Sequence, residues 1–387
     1  MVKKAAIVTY WNTEDNYGTV LQNFALQKFL SQSGIESITI RDCFFAHQST
    51  KEKLLRNLHE KGLISVLLKL ITLPYIRIRG KINEKKNRKR NFEQFRISHM
   101  KFTETIYDNY DKLLNEQADY DLYIAGSDQI WNFGKYDVRD LDTIFKTVFF
   151  DFANKAALKI SCAASFGNPN FTEDVSNSIS TFLSKFDFVS VREQNGVDFC
   201  KRIGIENAEL QYDPTFLHSA EFYGRLFSGI KKTDSKYVLL YLLNNSSDFS
   251  VVALKKWAKK KNLKLVYVNG NLFVPKITNT KCIYPTVNEW LSLISNAEYV
   301  FTNSFHGTVF SIIFNKKFLT IKQTKEFRQL NNRVEELLKE FNLQNRFYSN
   351  DFANVEEEIN YLDLNTMLDT YRYSSPFVNY IKTLQNS

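Results

Sequence analysis

Several residues and patterns that define common protein classes are scarce or absent in this 387-residue chain. Its four cysteines lie far apart and form no C-x-x-C pair, which excludes a zinc ribbon and a disulfide framework. No two of its 13 glycines lie two positions apart, so there is no G-x-G-x-x-G fingerprint. Neither a Walker A motif nor a G-x-S-x-G motif occurs. Dinucleotide-dependent dehydrogenases, P-loop NTPases and α/β-hydrolases are therefore disfavoured.

Histidine and long apolar runs are also scarce. The five histidines show no metal-ligand spacing, so we expect no bound metal and no resident cofactor. The longest apolar stretch, Leu63–Ile76, contains Lys69 and Pro74 and is too short to cross a bilayer. The short apolar run near the N-terminus has no cleavage site and fits a first β-strand better than a signal peptide. Unpaired cysteine thiols are typical of a reducing compartment, so these features together predict a soluble cytoplasmic protein.

Positive charge is concentrated in one segment. The net charge is +9, and Arg77–Lys101 contains ten Lys and Arg residues against two Glu. Two interpretations stay open: a solvated helix, or a cationic surface that contacts the anionic inner face of the cell membrane. No nucleic-acid-binding motif accompanies the charge, so we expect no nucleic acid as a partner.

Strand-like and helix-like segments alternate along the chain. Strands that are almost continuously apolar, such as those predicted at 147–152 and 236–243, are typical of parallel sheets covered on both faces. The alternation pauses near residues 204–214 and then restarts. We predict an α/β fold with two doubly wound Rossmann-like domains facing a cleft. The expected parts are residues 1–206 with a basic helical insertion at about 50–101, residues 207–370, and a C-terminal helix at 371–387 that crosses back to the first domain.

The loop after the first predicted strand enters a helix at Asn16, Tyr17 and Gly18. Open α/β sheets bind ligands at such strand-to-helix turns. Gly18 permits close approach of the backbone, and the helix start offers free N–H groups. The turn can equally be an ordinary one in which Asn16 caps the helix. We assign these three residues to the acceptor side of a binding site.

The segment IAGSDQIWN ends a predicted strand with a cluster of polar residues. Asp128 can accept hydrogen bonds from sugar hydroxyls or act as a general base, and Trp131 can stack on a sugar ring. Ser and Asp are also frequent helix caps, but a cap alone does not require the Gln and Trp that follow. We therefore assign the cluster to acceptor binding, with Asp128 as a candidate catalytic base. Its members are Ser127, Asp128, Gln129 and Trp131.

Two further segments contain groups suited to an anion. In TNSFHGTVFSIIF, His306 and Gly307 stand at a strand-to-helix turn. A histidine there can bind an anion or move a proton near neutral pH; the alternative is that a local backbone carbonyl or side chain is its partner. In VSVREQNG, Arg192 can bind a carboxylate or phosphate through two N–H groups, or pair with Glu193. Asp213, in QYDPTFL, is interpreted as structural or interdomain.

Six segments, taken in order, resemble the polysaccharide pyruvyl transferase family: DNYGTVLQNFALQ, IAGSDQIWN, SCAASFG, VSVREQNG, YDPTFL and TNSFHGTVFSIIF. They fall between about residues 5 and 335. The resemblance implies a fold like that of GT-B glycosyltransferases. It also implies phosphoenolpyruvate as the donor co-substrate, and a sugar of a bacterial surface glycan or its lipid-linked precursor as the acceptor. The implied product is a pyruvate ketal, formed with release of phosphate.

The resemblance also implies roles for particular residues. The family's arginine on the strand before the domain boundary matches Arg192, and its donor-site histidine matches His306. The family often has Arg-Leu-His where this chain has Ser-Phe-His, so one donor-site arginine is missing. Arg333 or Arg328, which follow in the chain, can supply the missing charge. We expect His306 to act as the catalytic acid. The expected donor-binding residues are Arg192, Ser304, His306, Gly307 and Arg333.

Two other functions stay open. A GT-B-type glycosyltransferase would use a nucleotide sugar, and its donor domain would need room for a nucleobase and basic groups for a diphosphate. A non-catalytic partner in a glycan-assembly complex would need no donor site, and the missing arginine is the feature that favours it. Turnover with any acceptor would exclude this last function.

Overall fold

The computed structural model of the protein describes residues 2–13, 16–42, 89–116, 118–136, 140–231, 235–270, 280–324, 328 and 330–386. The strands in these residues are β1 (Lys4–Val8), β2 (Glu36–Asp42), β3 (Phe102–Tyr107), β4 (Leu122–Ala125), β5 (Leu158–Ser161), β6 (Ser190–Val191), β7 (Glu209–Leu210), β8 (Tyr237–Leu242), β9 (Lys264–Asn269), β10 (Cys282–Ile283), β11 (Tyr299–Thr302) and β12 (Lys317–Thr320). The α-helices are α1 (Tyr17–Gln32), α2 (Phe92–His99), α3 (Tyr110–Glu116), α4 (Leu141–Val148), α5 (Glu173–Leu183), α6 (Gln194–Arg202), α7 (Ala220–Gly224), α8 (Val251–Lys260), α9 (Val287–Asn296), α10 (Phe305–Ile313), α11 (Asn331–Glu340), α12 (Tyr361–Ser374) and α13 (Pro376–Asn386).

The first sheet is parallel and has the strand order β3-β2-β1-β4-β5. Its central strand β1 is fully buried along Ala5–Val8, as expected for a strand covered by helices on both faces. The short parallel pair β6-β7 continues this sheet, because parallel bridges join Ile160 to Phe188 and Ala164 to Val191. The first domain therefore extends through β7, beyond the predicted boundary at residue 206.

The second sheet is also parallel and has the order β10-β9-β8-β11-β12. In both sheets the first strand of the domain is central, and the next strands extend to either side of it, which is the Rossmann-like order. The predicted α/β fold with two doubly wound domains facing a cleft is confirmed. The predicted strand at 147–152 is wrong. These residues end α4 and form a turn, because Phe145 and Phe149 keep helical spacing and pack against each other.

Two helices join the domains. Helix α1 of the first domain packs on the second, where Val20 and Phe24 share an apolar cluster with Phe310 of α10. Helix α13 follows the second domain and packs back on the first, where Phe377 shares a cluster with Ile7 of β1. Apolar contacts therefore hold the start of α1 close to the start of α10, and this proximity builds part of the site below.

Residues 77–88 of the predicted basic surface, Arg77–Lys101, lie outside the described residues. In the part that is described, two arginines are buried rather than facing solvent. Arg90 is fully buried and donates a hydrogen bond to the backbone carbonyl of Asn269 in the second domain. Arg96 is also buried and pairs with Glu93 at 2.7 Å. None of the described helices is both long enough and apolar enough to cross a bilayer.

Candidate active site

A cavity of about 390 Å³ opens between the two domains. The first domain contributes the segment from the end of β6 into α6, and the second contributes the start of α10 and one face of α11. Open α/β sheets bind ligands at such carboxyl ends of strands. The lining residues that matter for the chemistry are Arg192, Glu193, Asp213, Phe305, Arg333 and Glu336.

Asp213 connects the buried charged groups beside this cavity. It follows β7, and its Oδ1 accepts hydrogen bonds from the N–H of Thr215 at 3.1 Å and from its hydroxyl at 2.7 Å. Its Oδ2 accepts from Ser127 Oγ at 2.9 Å and from Arg192 Nη1 at 3.3 Å, and it lies 3.3 Å from His306 Nε2. Burial alone would raise the pKa of Asp213, but His306 and Arg192 outweigh it and hold the pKa well below its usual range. Asp213 is therefore an ionised carboxylate in contact with both domains.

Asp213 is not among the residues predicted for the site. An aspartate before a proline is commonly just the end of a strand, and that local pattern dominates the sequence signal. One signal in the sequence could have identified Asp213 as a site residue. It follows the carboxyl end of a strand, and the preceding strand in the chain ends just before Arg192, so the two side chains stand at the same edge of a parallel sheet. The contact with His306 joins segments far apart in the chain, and no local pattern indicates it.

Two arginines converge on the ring of Phe305. The guanidinium carbon of Arg192 lies 4.7 Å from the ring centroid, and that of Arg333 lies 5.7 Å from it. Arg192 Nη2 and Arg333 Nε are both buried and have no hydrogen-bond partner within the described part of the chain. Burial and the nearby charge of Arg192 lower the pKa of Arg333 to about 10. Two close cations with unused N–H groups favour the binding of an anion in the cavity.

His306 is the second residue of α10 and only 6% exposed. With Nε2 beside Asp213, the other ring nitrogen, Nδ1, faces the start of α1. A Cβ built on Gly18 would lie 1.9 Å from Nδ1. His306 is at a helix N-terminus and at the contact between the domains, but it does not itself line the cavity described above. The ring of His306 is therefore held between Asp213, which contacts Nε2, and Gly18, which packs against Nδ1.

Asp128 follows β4 in a left-handed conformation, with φ of 74°, which aspartate tolerates better than most residues. Its Oδ2 accepts a hydrogen bond from Thr19 Oγ1 at 2.7 Å, and its Oδ1 accepts from the N–H of Gln129 at 2.9 Å. Oδ1 also lies 3.9 Å from Arg333 Nη1. Burial would raise the pKa of Asp128, but Arg192 and Arg333 outweigh it and keep the pKa below its usual value. An ionised Asp128 is thus close to the arginine pair.

Two aromatic residues predicted to bind the acceptor are core residues instead. Trp131 is fully buried and packs against Phe149 and Phe166, with ring centroids 5.4 and 5.1 Å away. The prediction that it stacks on a sugar is wrong, because the aromatic core of the first domain holds this ring. Tyr17 is also fully buried, and it stacks on Trp290 of the second domain at 5.0 Å. Its role is in interdomain packing.

The other predicted acceptor residues are largely engaged with protein groups. Asn16 caps α1, and its Oδ1 accepts from the N–H of Gly18 at 3.1 Å. Gly18 does permit a close approach, but the approaching group is the ring of His306 rather than a ligand. The hydroxyl of Ser127 donates a hydrogen bond to the carboxylate of Asp213. Gln129 is buried and accepts a hydrogen bond from a neighbouring asparagine at 3.3 Å.

Among the predicted donor residues, Ser304 and Gly307 are occupied within α10. Ser304 caps the helix, and its Oγ accepts from the N–H of Gly307 at 3.2 Å. A Cβ built on Gly307 would lie 2.4 Å from Thr302 Oγ1, so packing of α10 against β11 requires this glycine. Arg333 lines the cavity, as the donor prediction requires, whereas Arg328 is exposed and outside it.

The buried charged cluster holds more carboxylates than cations. Two guanidinium groups face three carboxylates. An anion would therefore be held by unused N–H groups rather than by a large positive charge. Groups of three or more side chains that could hold a metal ion are absent from the described residues. The charged members are Arg192, Arg333, Asp128, Asp213, Glu193 and His306.

Comparison with known proteins identifies the family of the chain. None of the curated proteins matches it. Similar solved structures include UDP-GlcNAc 2-epimerase from Methanocaldococcus jannaschii (12% identity, TM-score 0.47, covering 100% of each chain). They also include UDP-GlcNAc 2-epimerase from Neisseria meningitidis bound to UDP-GlcNAc (11%, 0.42, covering 99% of this chain and 94% of that one) and E. coli heptosyltransferase WaaC with ADP (11%, 0.36, 95% and 99%). A family model described as polysaccharide pyruvyl transferase matches residues 16–323. Because that match covers most of its length, the chain belongs to the polysaccharide pyruvyl transferase family.

Proposed function

We propose that the protein transfers pyruvate from phosphoenolpyruvate to a sugar of a bacterial surface glycan or its lipid-linked precursor. The product is a pyruvate ketal, and phosphate is released. The observation that carries the proposal is the pair of Arg192 and Arg333, which lie 4.7 and 5.7 Å from the ring of Phe305 with buried, unused N–H groups. Phosphoenolpyruvate has a carboxylate and a phosphate, the two groups that arginine binds best through paired donors.

The first step adds a sugar hydroxyl to C2 of phosphoenolpyruvate. Asp128, which is ionised, accepts the hydroxyl proton, and His306 delivers a proton to the methylene carbon C3, which becomes a methyl group. Asp213 beside Nε2 holds the imidazole ring in place for this transfer. Arg192 and Arg333 bind the negative charges of the donor throughout the step.

The second step closes the ketal. A second hydroxyl of the same sugar bonds to C2 while the bond between C2 and the phosphate oxygen breaks. The phosphate leaves with the electron pair of that bond and takes up the proton of the second hydroxyl. The proton held by Asp128 returns to His306, so the cycle consumes no net acid or base. These steps need no resident cofactor.

Arg333 takes the place of the arginine that the family often has two residues before its histidine. In this chain that position is Ser304, which caps α10. The cation comes instead from Arg333 on α11, which lines the same cavity as Arg192. The donor is therefore held from a helix of the second domain and a strand end of the first.

Calorimetric titration with phosphoenolpyruvate tests the arginine pair. Arg192→Lys and Arg333→Lys keep the charge but lose the paired N–H donors, so each is expected to weaken binding on the order of 10-fold. Arg328→Lys is the matched control, because Arg328 is exposed and outside the cavity. Unchanged affinity in both cavity variants, or no binding by the wild type, would reject this donor site.

The acceptor and the competing functions need separate assays. Phosphate release that depends on an added lipid-linked oligosaccharide, with the pyruvate found on the sugar by mass spectrometry, would support pyruvyl transfer. A thermal shift with nucleotide sugars and none with phosphoenolpyruvate would favour the glycosyltransferase. Turnover of either kind would exclude a non-catalytic partner.

We also infer a cytoplasmic location with peripheral contact to the anionic inner face of the cell membrane. The support is the charge of Arg77–Lys101, which has ten Lys and Arg against two Glu and keeps an excess of positive charge without the buried Arg90 and Arg96. Such a segment is attracted to anionic lipid headgroups. Contact there would bring the enzyme close to an acceptor on a lipid carrier.

A further inference from the structure

The N-terminus of α6 is capped by a carboxylate from the other domain. Its own N-cap residue, Glu193, makes no side-chain capping hydrogen bond, and the first turn of the helix contains no acidic residue. Instead Glu336 of α11 reaches across the cleft, and its Oε2 accepts a hydrogen bond from the N–H of Gln194 at 2.8 Å. The free N–H groups and dipole of a helix N-terminus attract anions. Glu336 supplies that anion from within the protein.

The same cavity contains unused donors that Glu336 does not satisfy. The side chain of Arg192 is 2% exposed, lines the cavity and has an Nη2 without a partner among the described residues. The buried Nε of Arg333 is equally unused in the described part of the chain. A carboxylate has only two oxygens, and one of them is held by Gln194. A larger anion with more oxygens could engage the helix and both arginines together.

We propose that the N-terminus of α6, with Arg192 and Arg333, is a phosphate subsite, and that Glu336 holds this subsite until a phosphate group displaces it. The identity of the phosphate as that of phosphoenolpyruvate rests on the proposed function. The subsite itself does not, because a diphosphate of a nucleotide sugar has the same chemistry. Glu336 and a phosphate compete for the same N–H groups and repel each other, so they cannot both occupy the subsite in ionised form.

The surroundings of Glu336 are consistent with this exchange. Burial and then the charge of Glu193 raise the pKa of Glu336 to about 6, while the N–H groups of Gln194 and Asn195 oppose the rise. Near neutral pH, Glu336 is therefore protonated more easily than an ordinary glutamate, and a protonated side chain releases the helix more readily. The charged and titratable groups that line its surroundings are Arg192, Glu193, Asp198, Tyr212 and Asp213 from the first domain and its boundary, and Arg333, Lys339 and Glu340 from α11.

The test compares Glu336→Gln with wild type by calorimetry, using inorganic phosphate, phosphoenolpyruvate and UDP. Glutamine keeps an oxygen that can accept from Gln194 but removes the charge. At about pH 8 the variant is expected to bind phosphate on the order of 10-fold more tightly, because the charge-assisted hydrogen bond to Gln194 becomes a weaker neutral one and the repulsion between Glu336 and the phosphate is removed. At about pH 5, where Glu336 is largely protonated, wild type and the variant should bind phosphate with the same affinity. Because the two proteins are compared at the same pH, the titration of the phosphate itself affects both equally. Glu335→Gln is the matched control, because Glu335 pairs with Lys322 outside the cavity.

Equal affinities of wild type and Glu336→Gln at about pH 8 would overturn the proposal. An equal gain in Glu335→Gln would also overturn it, because a distant charge would then be responsible. Binding of none of the three probes to any of the proteins would do the same. Glu336→Ala, which removes the hydrogen bond as well as the charge, should show the same gain if the glutamine variant folds poorly. A gain for UDP but not for phosphoenolpyruvate would keep the subsite and reject the proposed donor.

Discussion

Replacing Gly18 with alanine places a methyl group inside the ring of His306. An ideal Cβ at position 18 would lie 1.9 Å from Nδ1, 2.1 Å from Cγ and 2.7 Å from Cβ of His306. Contacts this short cannot persist, so either the imidazole moves away from Asp213 or α1 moves away from α10. The described glycines with positive φ do not include Gly18, so alanine is not strained by the backbone itself. The whole effect of the substitution therefore comes from the contact between the domains.

Two free-energy terms oppose each other in this variant. Within a helix, alanine is more favourable than glycine by about 0.5–1 kcal/mol. Overpacking a well-filled contact costs about 1–3 kcal/mol. We expect Gly18→Ala to lower the free energy of unfolding by about 1–2 kcal/mol, because the clash involves a buried ring rather than a flexible side-chain end. Displacement of His306 should lower the rate of pyruvyl transfer on the order of 10²-fold, the scale of a lost acid–base group.

Urea denaturation and initial rates of phosphate release measure the two effects. Gly196→Ala is the matched control, because Gly196 also lies in the first turn of a helix and the nearest atoms to its built Cβ are 3.4 Å away. That variant should be unchanged or stabilised by up to about 1 kcal/mol. If Gly18→Ala were as stable as Gly196→Ala and as active as wild type, the assigned contact with His306 would be wrong. Retained stability with a raised KM for the acceptor would instead return Gly18 to the acceptor site.

Four further outcomes are expected. Asp213→Asn keeps the shape of the side chain but removes the carboxylate that contacts the imidazole of His306 and the guanidinium of Arg192. It should lower the transfer rate, measured as phosphate release, on the order of 10²-fold or more. Trp131→Phe removes part of a buried core ring and should lower the free energy of unfolding, measured by urea denaturation, by about 1–3 kcal/mol. The KM for the acceptor should be unchanged, and a raised KM would show that the ring contacts the sugar. The raised pKa of Glu336 means that the folded state binds more protons than the unfolded state between about pH 4.5 and 6. As the pH rises through this range, the free energy of unfolding of wild type should therefore fall relative to that of Glu336→Gln. The expected change is about 1 kcal/mol once solvent screening is allowed for. If Arg77–Lys101 contacts membrane, sedimentation with vesicles should require anionic lipid and fade with added salt, and equal binding to neutral vesicles would leave only the solvated helix.

The architecture could be predicted from the sequence because its signals are local. The alternation of apolar strands with amphipathic helices specifies parallel sheets, and it does so within each segment of about ten residues. The same local logic placed Arg192 at the end of a strand and His306 at the start of a helix. The strand predicted at 147–152 failed for a local reason too, since a short apolar run does not by itself distinguish a strand from a buried helix end.

The sequence by itself determined the α/β class, the two domains, the family and the strand ends where charged groups stand. The tertiary structure alone decided which way each side chain faces and what it meets. Trp131 lies in a predicted site segment, but the packing of the first domain turns its ring inward. Asp213 contacts His306, and Gly18 makes room for the same ring, because α1 and α10 pack together across the domain contact. Such partners are far apart in the chain, and their proximity follows from the burial of apolar surface between whole elements, which no local pattern encodes.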